Sequence, residues 1–396
     1  MAERAAHLVD RVLPSVPVRQ WVLTLPPRLR YLMAWDHALC RAVVAVYVRA
    51  IAGWLRRRAR RAGIADGRSG SVTILQRFGS ALNLNVHMHA LVLDGVFALD
   101  GDGLRFHRTP AAEDGELSSL LATIARRVSR LLARRGIADG TEGFDAPDPW
   151  ADEAPALAGL AAASAGGTIA LGPRAGTRVR RWRRDVGRDD PGWLSPWRAH
   201  LDGFDLHAEI AVAGTARDRR ERLCGYALRP PVGQRRLAVH AGGLVSLELR
   251  HPWRDGTTHI LFEPVELLER LAVLTPKPRV NLILYHGVLA PRSAWRARVV
   301  PAPPSEDTAD ASREHGARTN RTWAELMRRS FGFDVLACPR CAGRLRLIAL
   351  IQQPAIIQRI LRHLELPAEV PVMKPARDPP LWGEGDAAPM TSSFDA

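Results

Sequence analysis

The stretch SVTILQRFGSALNLNVHMHALVLDGVF, residues 71–97, decides the fold. Its two halves, 71–79 and 82–97, are rich in residues that suit strands, and Gly79 and Gly95 punctuate them. Side chains alternate faces along a strand, so His87 and His89 project from one side about 7 Å apart. Leu84, Val86, Met88 and Ala90 fall on the other side and read as core. Two imidazoles on one face can converge on a single metal ion, although a lone strand histidine is more often a core residue.

Outward from this hairpin, VRQWVLTLP (18–26) alternates and ends at a proline pair, as a strand and turn do. Residues 33–63 have helical spacing, as one long helix or a broken pair, and end in the arginine cluster Arg56–Arg61. Further strands are expected at 204–212, 236–240, 244–250, 258–262 and 279–285. Helices are expected at 117–135, 217–228 and 264–273. The organisation is then a catalytic domain in two parts, 1–100 and 201–300, around a variable basic insertion at 101–200 with one helix and mobile loops. A linker over 301–321 leads to a module at 322–375 containing CPRC, and 376–396 reads as a disordered tail. The fold class is α+β, with a central, mainly antiparallel sheet and flanking helices.

The 396 residues carry 56 Lys+Arg against 41 Asp+Glu, a net charge of +15. Only Lys277 and Lys374 are lysines, an arginine bias that codon usage in a GC-rich genome also explains. The excess of bases over acids points to a polyanion partner. No GxxxxGK[ST] loop exists, which excludes a P-loop ATPase and a nucleotide cofactor of that kind. Four cysteines make no disulfide framework, no run of 18 apolar residues occurs, and MAERAAHLVD lacks a signal-peptide core. These features lead us to expect a cytoplasmic, nucleoid-associated protein without a membrane segment. The oligomeric state stays open.

Tyr226 lies in RDRRERLCGYALRPPV with five arginines around it. A phenol is a weak nucleophile at its ordinary pKa of about 10. Cations and a metal that polarises a phosphodiester make it useful, while the bland alternative is a ring packed at a helix end. RVRRWRRD (178–185) sets Trp182 among Arg181 and Arg183, a base-stacking ring beside phosphate contacts. Cys338 and Cys341 form half of a zinc site or two ordinary thiols.

Together these phrases resemble the HUH superfamily of single-strand DNA nucleases, and within it the transposases of rolling-circle insertion sequences. The resemblance rests on QRFGSALNLNVHMHALVLDGVF, ERLCGYALRPPV, GTTHILFEPVELLERLAVLTPKPRVNLILYHGVLAP and FGFDVLACPRCAGRLRLIALI. It covers 15–300 and 322–375, least clearly over 101–200. It implies that His87 and His89 hold Mg2+ or Mn2+, with Gln76 or His207 as the third ligand. Tyr226 would attack phosphorus of single-stranded DNA at the element's ends and leave a 5′-phosphotyrosine link. Arg77, Arg181, Trp182, Arg183, Arg222 and Arg229 would contact DNA, and Cys338 and Cys341 are candidates for Zn2+.

Two departures matter. Relatives often carry a second tyrosine, but 227–240 has none, which leaves a single-tyrosine version or a part for Tyr285. Relatives also carry an N-terminal cysteine-rich segment that this chain lacks, so a truncated copy that only binds DNA is an alternative. A barrel-type metal-dependent hydrolase also ends a strand in HxH. It needs repeated strand–helix units, against the hairpin pattern at 71–97 and 236–262.

Overall fold

The computed structural model describes residues 1–301 except 111, 114, 138–147, 184–196, 234, 235 and 254. Beyond these it describes 323–365 except 333, 339, 342, 347–350 and 352, together with 368. The expected linker beyond residue 301, the whole of the expected tail and Arg184 lie outside the described residues. The chain divides into one compact unit over Glu3–Gly316 and a second over Ala317–Ala396.

The first unit opens with α1 (Ala2–Arg11), β1 (Val18–Thr24), α2 (Pro27–Trp35) and α3 (His37–Arg61). Asp36 separates the two long helices. Its carboxylate accepts from Leu39 N at 2.8 Å and caps α3, so the broken-pair reading of 33–63 is the right one. Then come β2 (Gly70–Phe78), β3 (Leu84–Leu93), β4 (Gly95–Asp100), β5 (Gly103–Arg108), α4 (Glu116–Arg134), α5 (Pro149–Glu153) and α6 (Pro155–Gly166). They are followed by β6 (Arg180–Arg183), β7 (Arg198–Leu201), β8 (Phe204–His207), β9 (Ala211–Val212) and α7 (Arg217–Ala227). The unit closes with β10 (Leu237–Val239), β11 (Val245–Glu248), β12 (Thr257–Phe262), α8 (Pro264–Leu274), β13 (Ile283–Gly287) and α9 (Arg296–Val299). The second unit contains α10 (Trp323–Phe331) and α11 (Pro354–His363).

The architecture is α+β. A seven-stranded sheet runs β13-β2-β3-β1-β8-β7, with β9 also on β1, and every pairing is antiparallel. One face carries Trp21, Leu23, Leu84, Val86, Met88 and Ala90, buried with the apolar sides of α2, α3, α4 and α6. Trp21 meets Trp54 edge-on at 5.5 Å and Trp197 at 6.3 Å, contacts of about 1 kcal/mol each beyond their area. By length and composition α3 could cross a membrane, but most of its apolar stretch is buried in this core. The other face carries Val18, Val72, Ile74, Leu91 and Leu93, packed with Leu8 and Val9 of α1 and Leu223, Cys224 and Ala227 of α7.

The region 101–200 is more than an insertion with one helix. The LDGDG turn closes the β4–β5 hairpin, and Gly101 takes the positive φ of 58° that such a turn requires. β6 joins a second antiparallel sheet, β10-β11-β12-β6. Buried charge pins the segment between α6 and β6 to α8. Glu269 accepts from Ala170 N and Leu171 N at 2.9–3.2 Å, and Arg270 donates to Ser164 O at 3.0 Å and Thr168 O at 2.6 Å. Arg174 pairs with Glu266 at 2.9 Å. Arg270 Nε is left buried without a partner among the described residues, but the other contacts hold in place part of what reads as a mobile basic stretch.

Candidate active site

The polar end of the second sheet face holds the site. Strand register sets Gln76, His87, Thr24 and Asp205 in one cross-strand row, and Ile74, His89, Val22 and His207 in the next. The His87 and His89 rings lie 5.0 Å apart between centroids, and both are buried. Gln76 is the immediate neighbour of His87. His207 stands two strands from His89, about 10 Å at the usual strand spacing, and its Nε2 meets Glu209 Oε2 at 3.2 Å. The structure therefore gathers Gln76 with the His pair and sets His207 apart.

α7 delivers the tyrosine. Leu223, Cys224 and Ala227 bury one side of the helix, and Arg220 fixes its start by donating to Gly214 O at 2.9 Å and Leu13 O at 2.6 Å. At its other end Gln76 Nε2 donates to Ala227 O at 2.7 Å, which satisfies one of the helix's orphan carbonyls. Tyr226 then comes to 6.0 Å from His89, ring to ring, and is 41% exposed. Of the other tyrosines, Tyr47 is fully buried, Tyr31 donates to Asp148 at 2.5 Å, and Tyr285 packs on the second core with its phenol pushed up by burial.

Hydrogen bonds fix which ring and amide atoms of the site are committed and which are left over. His87 Nδ1 lies 2.8 Å from the Asn85 carbonyl, which can only accept, so Nδ1 carries the proton and Nε2 keeps its lone pair. His89 Nδ1 accepts from Gln20 Nε2 at 2.8 Å, so in the neutral ring the proton sits on Nε2, which is buried without a protein partner among the described residues. Gln76 Nε2 is committed to Ala227 O, and that leaves Oε1 buried and without a partner as well. Desolvation pushes the His87 pKa down to about 4, with Arg229 and Arg30 adding to it against the Asn85 hydrogen bond. Desolvation, helped by His87 and Arg229, pushes His89 down to about 2. Both rings are neutral at physiological pH. No group of three His, Cys, Asp or Glu side chains placed to hold a metal occurs among the described residues.

Arginines crowd the tyrosine. Arg229 lies 4.1 Å over its ring and Arg250 6.0 Å from it. Arg250, two residues past the end of β11, and Arg30, in α2, are residues that the sequence reading missed. Only long-range pairing brings them here. Arg222 is exposed on α7. Arg77 is different. It is buried and donates to Ala34 O at 2.8 Å and Val273 O at 3.1 Å, so its guanidinium braces α2 and α8 instead of facing DNA. Arg181 and Arg183 share Asp255 at 3.3 and 3.8 Å, and Trp182 is exposed.

In the second unit Cys338 N donates to Gly343 O at 2.8 Å, and an isolated bridge pairs Ala337 with Arg344. Backbone N–H groups of Arg340 and Cys341 lower the Cys338 thiol. Cys40 and Cys224 are buried in the first unit, and burial pushes their thiols up to about 11 and about 12.

A protein-family model described as "Putative transposase" matches residues 70–296, more than half of the chain, and the match includes Gln76, His87, His89, Tyr226, Arg229 and Arg250. The chain belongs to that transposase family. DNA is therefore its partner, and DNA processing in transposition is its field of activity. No curated protein and no solved structure matches.

Proposed function

We propose that this transposase cuts and rejoins single-stranded DNA through a 5′-phosphotyrosine on Tyr226, in an HUH-like fold and a rolling-circle-like reaction. The observation that carries the reading is the approach of the exposed Tyr226 ring to within 6.0 Å of His89, beside His87 and the unpartnered Gln76 Oε1. The Nε2 of His87 and the Oε1 of Gln76 are the atoms we assign to Mg2+ or Mn2+, and His89 Nε2 joins them when the Gln20 amide turns to present Oε1 to an Nδ1–H, which frees the Nε2 lone pair. A mixed nitrogen and oxygen set favours Mn2+ over Mg2+, the harder ion that prefers oxygen ligands alone. When bound, such an ion polarises the scissile phosphate. Arg229 and Arg250 offset the phosphate's negative charge beside the nucleophile. Tyr226 Oη bonds to phosphorus as the bond from phosphorus to the 3′-oxygen breaks. The phenol proton is lost, the 3′-oxygen gains one, and the ester is conserved for the later transfer. No ATP enters this balance.

For the second unit we assign Cys338 and Cys341 as half of a Zn2+ site. A thiol lowered by backbone N–H groups favours the thiolate that zinc requires.

The reading is tested by incubating the protein with Mn2+ and single-stranded oligonucleotides from the DNA flanking its gene, then running a denaturing gel. A covalent adduct that Tyr226→Phe abolishes, and that His87→Ala with His89→Ala also abolishes, supports it. Retarded DNA on a native gel with no adduct under any metal would leave a protein that only binds DNA.

A further inference from the structure

The second sheet is not needed to build the His–Tyr centre, yet it reaches it. Trp182 stands on the edge strand β6, 49% exposed, an unusual position for the largest apolar side chain. Its ring lies 5.4 Å from that of His259 at an interplanar angle of 38°. Register places Trp182 opposite His259 on β12, and His259 opposite Glu248 on β11, a single row across three strands. At the usual strand spacing Trp182 is therefore about 10 Å from Glu248.

The row then leads to the tyrosine. The Glu248 carbonyl accepts from Arg236 Nε at 2.6 Å, and Leu249 N continues the ladder by donating to Thr258 O at 2.8 Å. One residue on is Arg250, 6.0 Å from the Tyr226 ring. Arg236 and Arg229 each keep one buried guanidinium nitrogen, Nη2 and Nη1, without a partner among the described residues. A buried N–H on a charged group is costly to leave unpaired, and an anionic oxygen is the acceptor that suits it best. At the outer end Arg181 and Arg183 share the single carboxylate of Asp255, which leaves positive charge beside the exposed indole.

We propose that this sheet is a track for single-stranded DNA: an unpaired base stacks on Trp182, and backbone phosphates lie against Arg236, Arg250 and Arg229 as the strand enters the Tyr226 site. The argument for a single strand is geometric. Stacking on an indole requires an open base face, and a duplex keeps its base faces covered by neighbouring pairs. Rings and arginines interleaved along a groove recognise unpaired nucleotides with little regard to sequence. The proposal rests on the reading of Tyr226 as a DNA nucleophile, but its test does not depend on cleavage.

The experiment measures binding of full-length Tyr226→Phe protein, which cannot trap DNA covalently through that residue, to an oligothymidine and to a blunt hairpin duplex. Trp182→Ala is expected to weaken oligothymidine binding on the order of tenfold, and Trp182→Phe to recover most of it. Hairpin affinity should not change. Arg236→Gln should reduce the slope of log affinity against log salt by about 0.7, the value for one phosphate contact on a single strand. Unchanged oligothymidine affinity in Trp182→Ala would overturn the proposal, and so would an equal loss on hairpin DNA. If the wild-type protein forms no adduct while Trp182→Ala still loses single-strand affinity, the track stands and the phosphotyrosine reading falls.

Discussion

Acidification should destabilise this protein through its histidine pair, by an amount that the burial of the two rings sets. In the unfolded chain both imidazoles protonate near the ordinary pKa of about 6.5. In the folded protein desolvation holds His87 to about 4 and His89 to about 2. The folded state thus binds fewer protons, so stability is full above the unfolded value and falls as the pH drops below it. At about pH 5 each ring is roughly 1.5 pH units below the unfolded value, which corresponds to about 2 kcal/mol per histidine and about 4 kcal/mol for the pair. The assay is urea unfolding in a chelator, followed by circular dichroism from neutral pH to about pH 5, for wild type and for His87→Asn with His89→Asn. His37 and His286, also lowered by burial, titrate in both proteins and cancel in the difference. Wild type should lose about 4 kcal/mol more than the variant over this range. Parallel curves would refute the claim that the pair is buried and neutral.

Four further outcomes follow from the packing and the site. Tyr47→Phe removes a fully buried hydroxyl with no hydrogen-bond partner among the described residues, so thermal unfolding should show stability unchanged or higher by about 1 kcal/mol. A clear loss would reveal a partner for that hydroxyl. Glu269→Ala strips the acceptor from two backbone N–H groups and a carboxylate that favours the buried Arg270 charge, and should cost about 3 kcal/mol in chemical denaturation. A cost under about 1 kcal/mol would mean that residues 164–178 are not held by this latch. Gly287→Ala puts a Cβ 2.0 Å from Ser69 O at a φ of +61° and should destabilise by about 2 kcal/mol or more. Gln76→Ala should weaken Mn2+ binding, read by titration calorimetry, where His207→Ala should not. Equal effects would return the choice of third ligand to an open state.

How much of this was legible in the sequence depends on the range of each contact. The same-face placement of His87 and His89 follows from the period of a strand, and the apolar positions 84, 86, 88 and 90 reach the core face as that period requires. The limits of α7 and α8 follow from helical spacing and flanking prolines. The break at Asp36 had a readable signal, since an aspartate three residues before a leucine N–H is a common cap. So did the β4–β5 hairpin, whose DGDG run is a turn signal inside what reads as an insertion. Other features had none. RRWR shows no apolar alternation, because β6 is an edge strand whose pairing with β12 comes from a partner 70-odd residues away. Arg77 looks like any basic residue near the site until its two carbonyl partners, from α2 and α8, are seen to enclose it. The commitment of Gln76 Nε2 to Ala227 O, which leaves Oε1 bare, joins residues 151 apart, and no local pattern encodes it.

The central claim is that Tyr226 is the nucleophile, and the most direct measurement locates the covalent bond. Protein incubated with Mn2+ and single-stranded DNA from its element's ends would be digested with nuclease and protease, and the nucleotide-bearing peptide sequenced by mass spectrometry. The account requires a nucleotide on Tyr226, joined through its 5′-phosphate, and none on Tyr31, Tyr47 or Tyr285. A nucleotide on Tyr285, or cleaved DNA with no modified tyrosine, would contradict it.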